Sequence, residues 1–231
     1  MAMKNLTRTV LIGAASAVLT LICAGNSFAD DASTPVAPSS RIELFNGKDF
    51  SGWTFCMQTN AEPANTWAVT NGLMLCTGQP YGYARTTTEY RDYKLTVEWR
   101  FVKPVPHADN SGVFVHLHTP DKVWPKCIEC QGQYRHQGDI ILLGGTTVND
   151  MQPTNAVRSV RMRGPSNENP GGEWNTYEII AAGDTLKVSV NGKVMNEVTN
   201  SSVRSGFIAI QSEGGDLELR KASLEPVSAS R

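Results

Sequence analysis

An all-β fold of antiparallel strands, a sandwich or a barrel, is what this sequence predicts, on three observations. Asn-Gly pairs stand between short apolar runs at Asn71-Gly72 ("TWAVTNGLMLC") and Asn191-Gly192 ("LKVSVNGKVMNEV"). Both central residues of a type I′ hairpin turn need positive φ, and Asn-Gly supplies it. The stretch "YKLTVEWRF" alternates Leu95, Val97, Trp99 and Phe101 with Thr96, Glu98 and Arg100, the period of a half-buried strand. Nowhere does an apolar period of 3.6 residues persist for three turns.

The elements follow in chain order. Lys4 and Arg8 form a basic start, residues 10–24 are apolar or small, and Ser27-Phe28-Ala29 gives a small-x-small end. That reads as a secretory signal over residues 1–29, cut after Ala29. Its apolar run falls short of the roughly 20 residues of a membrane span, so no span is expected after its removal. The expected location is periplasmic or extracellular. Residues 30–40 ("DDASTPVAPSS") read as a flexible linker, 41–227 as one β-domain, and 228–231 as a tail. The Pro/Gly-rich "RGPSNENPGGEW" is a long loop, and "GFIAIQS" and "DLELRKASLEP" are the closing strands. The whole chain has a formal charge of −1, which falls to −3 when Lys4 and Arg8 leave with the signal. No basic surplus marks a nucleic-acid partner.

All four histidines lie between residues 107 and 136. Read as a strand, "NSGVFVHLH" sends Val113, Val115 and Leu117 to one face and Phe114, His116 and His118 to the other. The same alternation in "KCIECQGQ" puts Ile128 and Cys130 on the apolar side, and Cys127, Glu129 and Gln131 on the polar side. His116, His118, Glu129 and Gln131 then line one hollow, with Trp124 at its rim. Cys127 and Cys130, three apart in a strand, would lie roughly 10 Å from each other on opposite faces, too far for a disulfide. Cys130 reads instead as a small buried hydrophobe. Export permits disulfides, and Cys56–Cys76 is the expected one. The spacing E-x-D-x-x-E of a retaining glucanase is absent.

Several motifs in fixed order carry a resemblance: "FNGKDFSGW" at 45–53, W-x-V-x-x-G-x-L from Trp67, and Y-x-L-x-V-E-W-R-F from Tyr93. "NSGV" at 110–113, "IECQ" at 128–131, "EWNTYEI" at 173–179, "VNGK" at 190–193 and the closing "GFIAIQSEGGDLELRKASLEP" continue it. Over residues 41–227 the chain resembles the 3-keto-disaccharide hydrolase domain family. That resemblance implies a jelly-roll sandwich of the concanavalin A-like lectin/glucanase type and a sugar substrate oxidised at C3. It also differs from many members: His116 stands where an arginine is common, and Glu213-Gly214-Gly215 where a histidine-glycine pair is common.

The implied chemistry is removal of the C2 proton and departure of the C1 glycosidic oxygen, with water added afterwards. Glu129 is the expected base. His116 and His118 either polarise the ketone or join Glu129 in holding a divalent metal as Lewis acid. No organic cofactor is expected. Gln131 would orient sugar hydroxyls and Trp124 would stack on a sugar face. Arg100 and Glu98 are carried as further substrate contacts, against the reading that they form a structural ion pair. Asp139 is weighed as a residue near the site or in a turn, His107 and His136 as loop residues, and Arg158, Arg161 and Arg163 as a solvated run. Two alternatives to an enzyme remain open: a glycan-binding module on the same fold, and a structural domain of the cell envelope.

Overall fold

The computed structural model describes residues 34–102, 109–149, 152–153, 158–160 and 164–227. The expected signal, the tail, His107, Arg161 and Arg163 lie outside the described residues. Five strands come first: β1 (Ile42–Glu43), β2 (Trp53–Met57), β3 (Trp67–Thr70), β4 (Leu73–Cys76) and β5 (Gly82–Thr86). Then follow β6 (Tyr93–Phe101), β7 (Gly112–His118), β8 (Lys126–Gln131), β9 (Ile140–Leu143) and β10 (Gln152–Pro153). The last six are β11 (Arg158–Val160), β12 (Asn175–Ala182), β13 (Thr185–Val190), β14 (Lys193–Val198), β15 (Phe207–Ser212) and β16 (Leu217–Pro226).

These strands make two antiparallel sheets. The first runs β14-β13-β12-β6-β16-β4-β3, with β1 also on β16; the second runs β10-β11-β9-β8-β7-β15-β5-β2. The expected hairpins are present. Asn71 and Gly72 have φ of 50° and 78°, Asn191 and Gly192 of 48° and 80°, and each pair joins adjacent antiparallel strands. Strand β6 alternates buried and half-buried residues along its whole length, with Leu95, Val97, Trp99 and Phe101 inward. Those side chains meet Val113, Ile128, Ile140 and Ile208 from the second sheet in one core. Each fully buried aliphatic or aromatic side chain there contributes about 1.5–3 kcal/mol of burial.

Part of the segment expected to be a flexible linker is docked. Val36 donates its N–H to the Glu89 carbonyl at 2.8 Å and accepts from Arg91 N at 3.0 Å. The polar composition of residues 30–40 gave no sign of this, because the bonds are to backbone and need no particular side chain.

Just beyond β8 the two sheets come close. Tyr177 on β12 donates its hydroxyl to the Gln131 carbonyl at 2.7 Å. Gly132 leaves no room for a side chain: an added Cβ would lie 2.1 Å from Trp99 Cη2 and 2.8 Å from the Ser111 carbonyl. Gly132→Ala should therefore destabilise the fold by about 1–3 kcal/mol, read from the urea midpoint. An unchanged midpoint would show that this contact between the sheets is slack.

Candidate functional site

The outer face of the second sheet is built by simple alternation along β8. Ile128 and Cys130 enter the core between the sheets, while Cys127 joins an outer apolar cluster with Tyr83, Phe114, Leu117 and Ala209. Glu129 and Gln131 share that outer side. Glu129 is paired across to Phe114 on β7 and Ile141 on β9, and Gln131 to Gly112. Gly112 is where the Glu129 side chain lies. A Cβ there would stand 2.9 Å from Glu129 Oε1, so any larger residue would displace the carboxyl.

The segment between β7 and β8, residues 119–125, folds back over this face as a strap held at two points. Asp121 accepts from the Tyr83 hydroxyl at 2.9 Å and forms a two-pronged pair with Arg85, Nε at 2.8 Å and Nη2 at 2.9 Å. Further along, Trp124 stacks edge-on against Tyr81 and lies beside the Glu213 carboxylate. The indole itself stays at the rim, 49% exposed. Under the strap the sheet face is dry: Phe114, Leu117 and Cys127 have no exposure at all.

Glu129 is 4% exposed, and its Oε1 has no hydrogen-bond partner. Burial, with the charge of Glu213 as the second cause, pushes its carboxyl up to about 8. Gln131 is differently placed. Its Oε1 accepts from the backbone N–H of Gly132 at 2.8 Å and of Gln133 at 2.9 Å. That fixes the amide and leaves its NH2 as a donor on the face that carries Glu129. Glu213 accepts from Asn110 Nδ2 at 2.7 Å and lies beside the Gln211 and Trp124 side chains. Burial raises its affinity for a proton, and the polar groups of Gln211 and Trp124 oppose the rise.

The histidines do not join this face, and that corrects the expectation. Strand β7 carries a bulge between Val115 and His118, with His116 at φ 52°. Two residues, His116 and Leu117, stand opposite Cys127, which shifts the parity. Leu117 therefore turns outward onto Phe114, and His116 turns inward to 2% exposure. Its ring packs edge-on against Tyr93 with centroids 5.8 Å apart, and its Nδ1 lies 3.2 Å from the Val203 carbonyl. Burial pushes its imidazole down to about 4, so it is neutral at physiological pH. Gly206 accommodates the bulge, since a Cβ there would come within 2.6 Å of the Leu117 carbonyl. His118, next after the outward Leu117, falls on the same side as His116. Neither imidazole meets Glu129. Among the described residues no three His, Cys, Asp or Glu side chains are grouped to hold a metal ion, so His116, His118 and Glu129 do not form the expected ligand set.

Other expectations change as well. Glu98 and Arg100 lie on the outer surface of the first sheet, away from Glu129, and are tied up in ion pairs. Arg100 binds Glu218 at 2.7 Å, and Glu98 binds Arg220 at 2.7 Å and Lys221 at 3.2 Å. Trp174 is held there between the guanidiniums of Arg100 and Arg220, at 4.6 and 4.4 Å. The Cys56–Cys76 disulfide is absent, and Cys56, Cys76, Cys127 and Cys130 are free thiols. Cys56 belongs to the outer face of the second sheet and Cys76 to the core side of the first. Packed sheets stand about 10 Å apart, beyond disulfide reach for side chains so arranged. Asp139 is fully buried beside its partner His136, at 3.3 Å. Sequence reading missed Asn110, Gln211, Glu213 and the Asp121–Arg85 latch; alternation in "IQSE" was the one signal placing Gln211 and Glu213 on a common side.

Fold and polar face together define a carbohydrate-active β-sandwich of the concanavalin A-like jelly-roll type. More particularly, the family described as the 3-keto-alpha-glucoside-1,2-lyase-like domain matches residues 40–225, and the chain belongs to it. A Parabacteroides distasonis protein assigned to the glycosyl hydrolases superposes with a TM-score of 0.60 at 15% identity, over 82% of this chain and 94% of that one. The β-glucanase of Bacillus licheniformis gives 0.54 at 15% identity, over 82% and 99%. The carbohydrate-binding module CBM66 of Bacillus subtilis gives 0.52 at 10% identity, over 75% and 95%. At these identities the likeness is one of fold. No curated protein matches the sequence.

The buried carboxyl has a consequence for stability. The folded chain keeps a proton on Glu129 that the unfolded chain releases above its ordinary value of 4.5. The stability this group contributes is complete below that value and is lost as pH rises through about 8. Glu129→Gln keeps the shape and removes the titration. Its urea midpoint should exceed that of the parent at pH 9 and approach it at pH 5. Parallel pH profiles for the two proteins would contradict the assignment.

Proposed function

We propose that this protein cleaves the glycosidic bond of a 3-keto-α-glucoside by elimination, with Glu129 as the base. The observation that carries the reading is the buried Glu129 carboxyl, its Oε1 without a partner, on the sheet face of a chain in the 3-keto-alpha-glucoside-1,2-lyase-like family. A ketone at C3 acidifies the C2 proton. Glu129 takes that proton, and the electron pair moves into an enolate on the C3 oxygen. It then returns to form a C1=C2 double bond as the C1–O bond breaks. The departing oxygen recovers a proton from Glu129, and water adding across the double bond completes a net hydrolysis.

An ordinary carboxylate is a weak base for a carbon acid; one held at about 8 is better matched and still partly ionised near neutrality. The Gln131 NH2, fixed by two backbone bonds, supports the reading as the donor for the enolate oxygen. A retaining mechanism has less support. Glu213 is the second carboxylate of the face, but its Oε2 is already held by Asn110 Nδ2 at 2.7 Å. No step is assigned to a metal. Export by way of residues 1–29 belongs to the same proposal.

A second reading is a glycan-binding module, favoured by the exposed Trp124 indole at the rim and by the shared fold with CBM66. Glu129→Gln separates the two. Under the elimination reading it lowers turnover of a 3-keto-α-glucoside by at least about a thousandfold while the protein stays folded. Parent turnover rises about tenfold per pH unit and levels off near 8. Sugar binding without turnover in the parent protein, unchanged in Glu129→Ala, would replace the enzyme with the binder.

A further inference from the structure

Glu213 follows Gln211 at the end of β15, and the pair share the outer side of the sheet with Glu129. An ionised carboxylate only accepts hydrogen bonds, so the amides that reach it must present nitrogen. Asn110 does so through Nδ2 at 2.7 Å, and the Gln211 side chain lies beside the same carboxylate. An amide whose NH2 faces a carboxylate turns its carbonyl oxygen away from it. Asn110 Oδ1 and Gln211 Oε1 are both buried and both lack a partner, and Gln211 is only 2% exposed. Neither amide can flip to relieve this without setting its oxygen against Glu213. Two orphaned acceptors fixed side by side in a native fold call for a donor that comes from outside.

We infer that Asn110 and Gln211, oriented by Glu213, form a subsite that binds two hydroxyl groups of the sugar as donors and rejects a carbonyl oxygen there. This deepens the carbohydrate reading above and rests on it for the class of ligand. The polarity of the face is thereby divided. Gln131 offers an N–H group, suited to a keto oxygen, and the Asn110–Gln211 end offers only acceptors, suited to unoxidised hydroxyls. An oxidised sugar is then bound in one orientation. Trp124 lies beside the same Glu213 carboxylate, so the strap and the amides meet at one group.

The probe is methyl α-D-glucopyranoside, which has no ketone and is not eliminated, with its four analogues carrying fluorine in place of a single hydroxyl. Fluorine does not donate. Calorimetric titration of the parent protein should show about tenfold weaker binding for two of the four analogues and little change for the others. In Glu213→Gln one of the two penalties should fall below about threefold, because one amide is released to turn round. Gln211→Met, which keeps the bulk and removes the acceptor, should abolish one penalty and leave the other; it serves if Glu213→Gln melts early. Equal affinity for all four analogues, persistence of both penalties in Gln211→Met, or no binding of the parent glycoside would each overturn the subsite. Turnover reads the other claim. Elimination lost in Glu129→Gln without fluorine penalties sinks only the subsite, and penalties without any elimination leave the subsite on a non-catalytic binder.

Discussion

Keeping the Glu129 carboxyl away from water with no partner for one oxygen is the constraint on which the rest of this structure depends. An uncompensated polar group of this kind costs about 1–3 kcal/mol, and more if it ionises. The fold supplies that cost from the large core between its sheets. Everything near the carboxyl follows from its placement. Gly112 is bare because the side chain lies across it. Phe114 and Ile141 flank it on the neighbouring strands. Burial without a partner at Glu129 Oε1, on the face that also carries the unpartnered Asn110 Oδ1 and Gln211 Oε1, marks a site arranged for chemistry rather than for stability.

The strap is the second half of the arrangement. Residues 119–125 leave the sheet after His118, reach Arg85 and Tyr83 through Asp121, and reach Tyr81 and Glu213 through Trp124. That path covers the apolar half of the outer face and leaves its polar end at the rim. The two-pronged Asp121–Arg85 pair is half-buried and geometrically matched, the kind of ion pair that holds position well. Arg85 also lies over the Phe207 ring at 4.1 Å, which fixes the guanidinium from its other side. The low polarity around Glu129 thus depends on a loop as well as on the sheet.

Much of this was legible in the sequence, for definite physical reasons. The Asn71-Gly72 and Asn191-Gly192 turns follow from positive φ, and the inward Leu95, Val97, Trp99 and Phe101 from strand parity. Glu129 and Gln131 share a face because they stand two apart in an unbroken strand. The histidines failed the same argument because β7 is not unbroken. A non-glycine residue at φ 52° leaves no mark in composition or spacing, and one extra residue reverses every side chain after it. Glu98 and Arg100 show another limit. Alternation correctly put them on a polar surface, but the sheet to which that surface belongs is a matter of topology. Glu213 needed register as well, since its neighbours Asn110 and Trp124 are each about 90 or more positions distant in the chain.

Titration of the Glu129 side chain itself is the most direct test, by carbon NMR of the folded protein labelled at glutamate Cδ, with Glu129→Gln to assign the signal. A midpoint near 8, well apart from the exposed glutamates, is the result expected from a carboxyl buried with one oxygen unpartnered. A midpoint near the ordinary 4.5 would mean that water reaches the group, and the dry outer face would not exist.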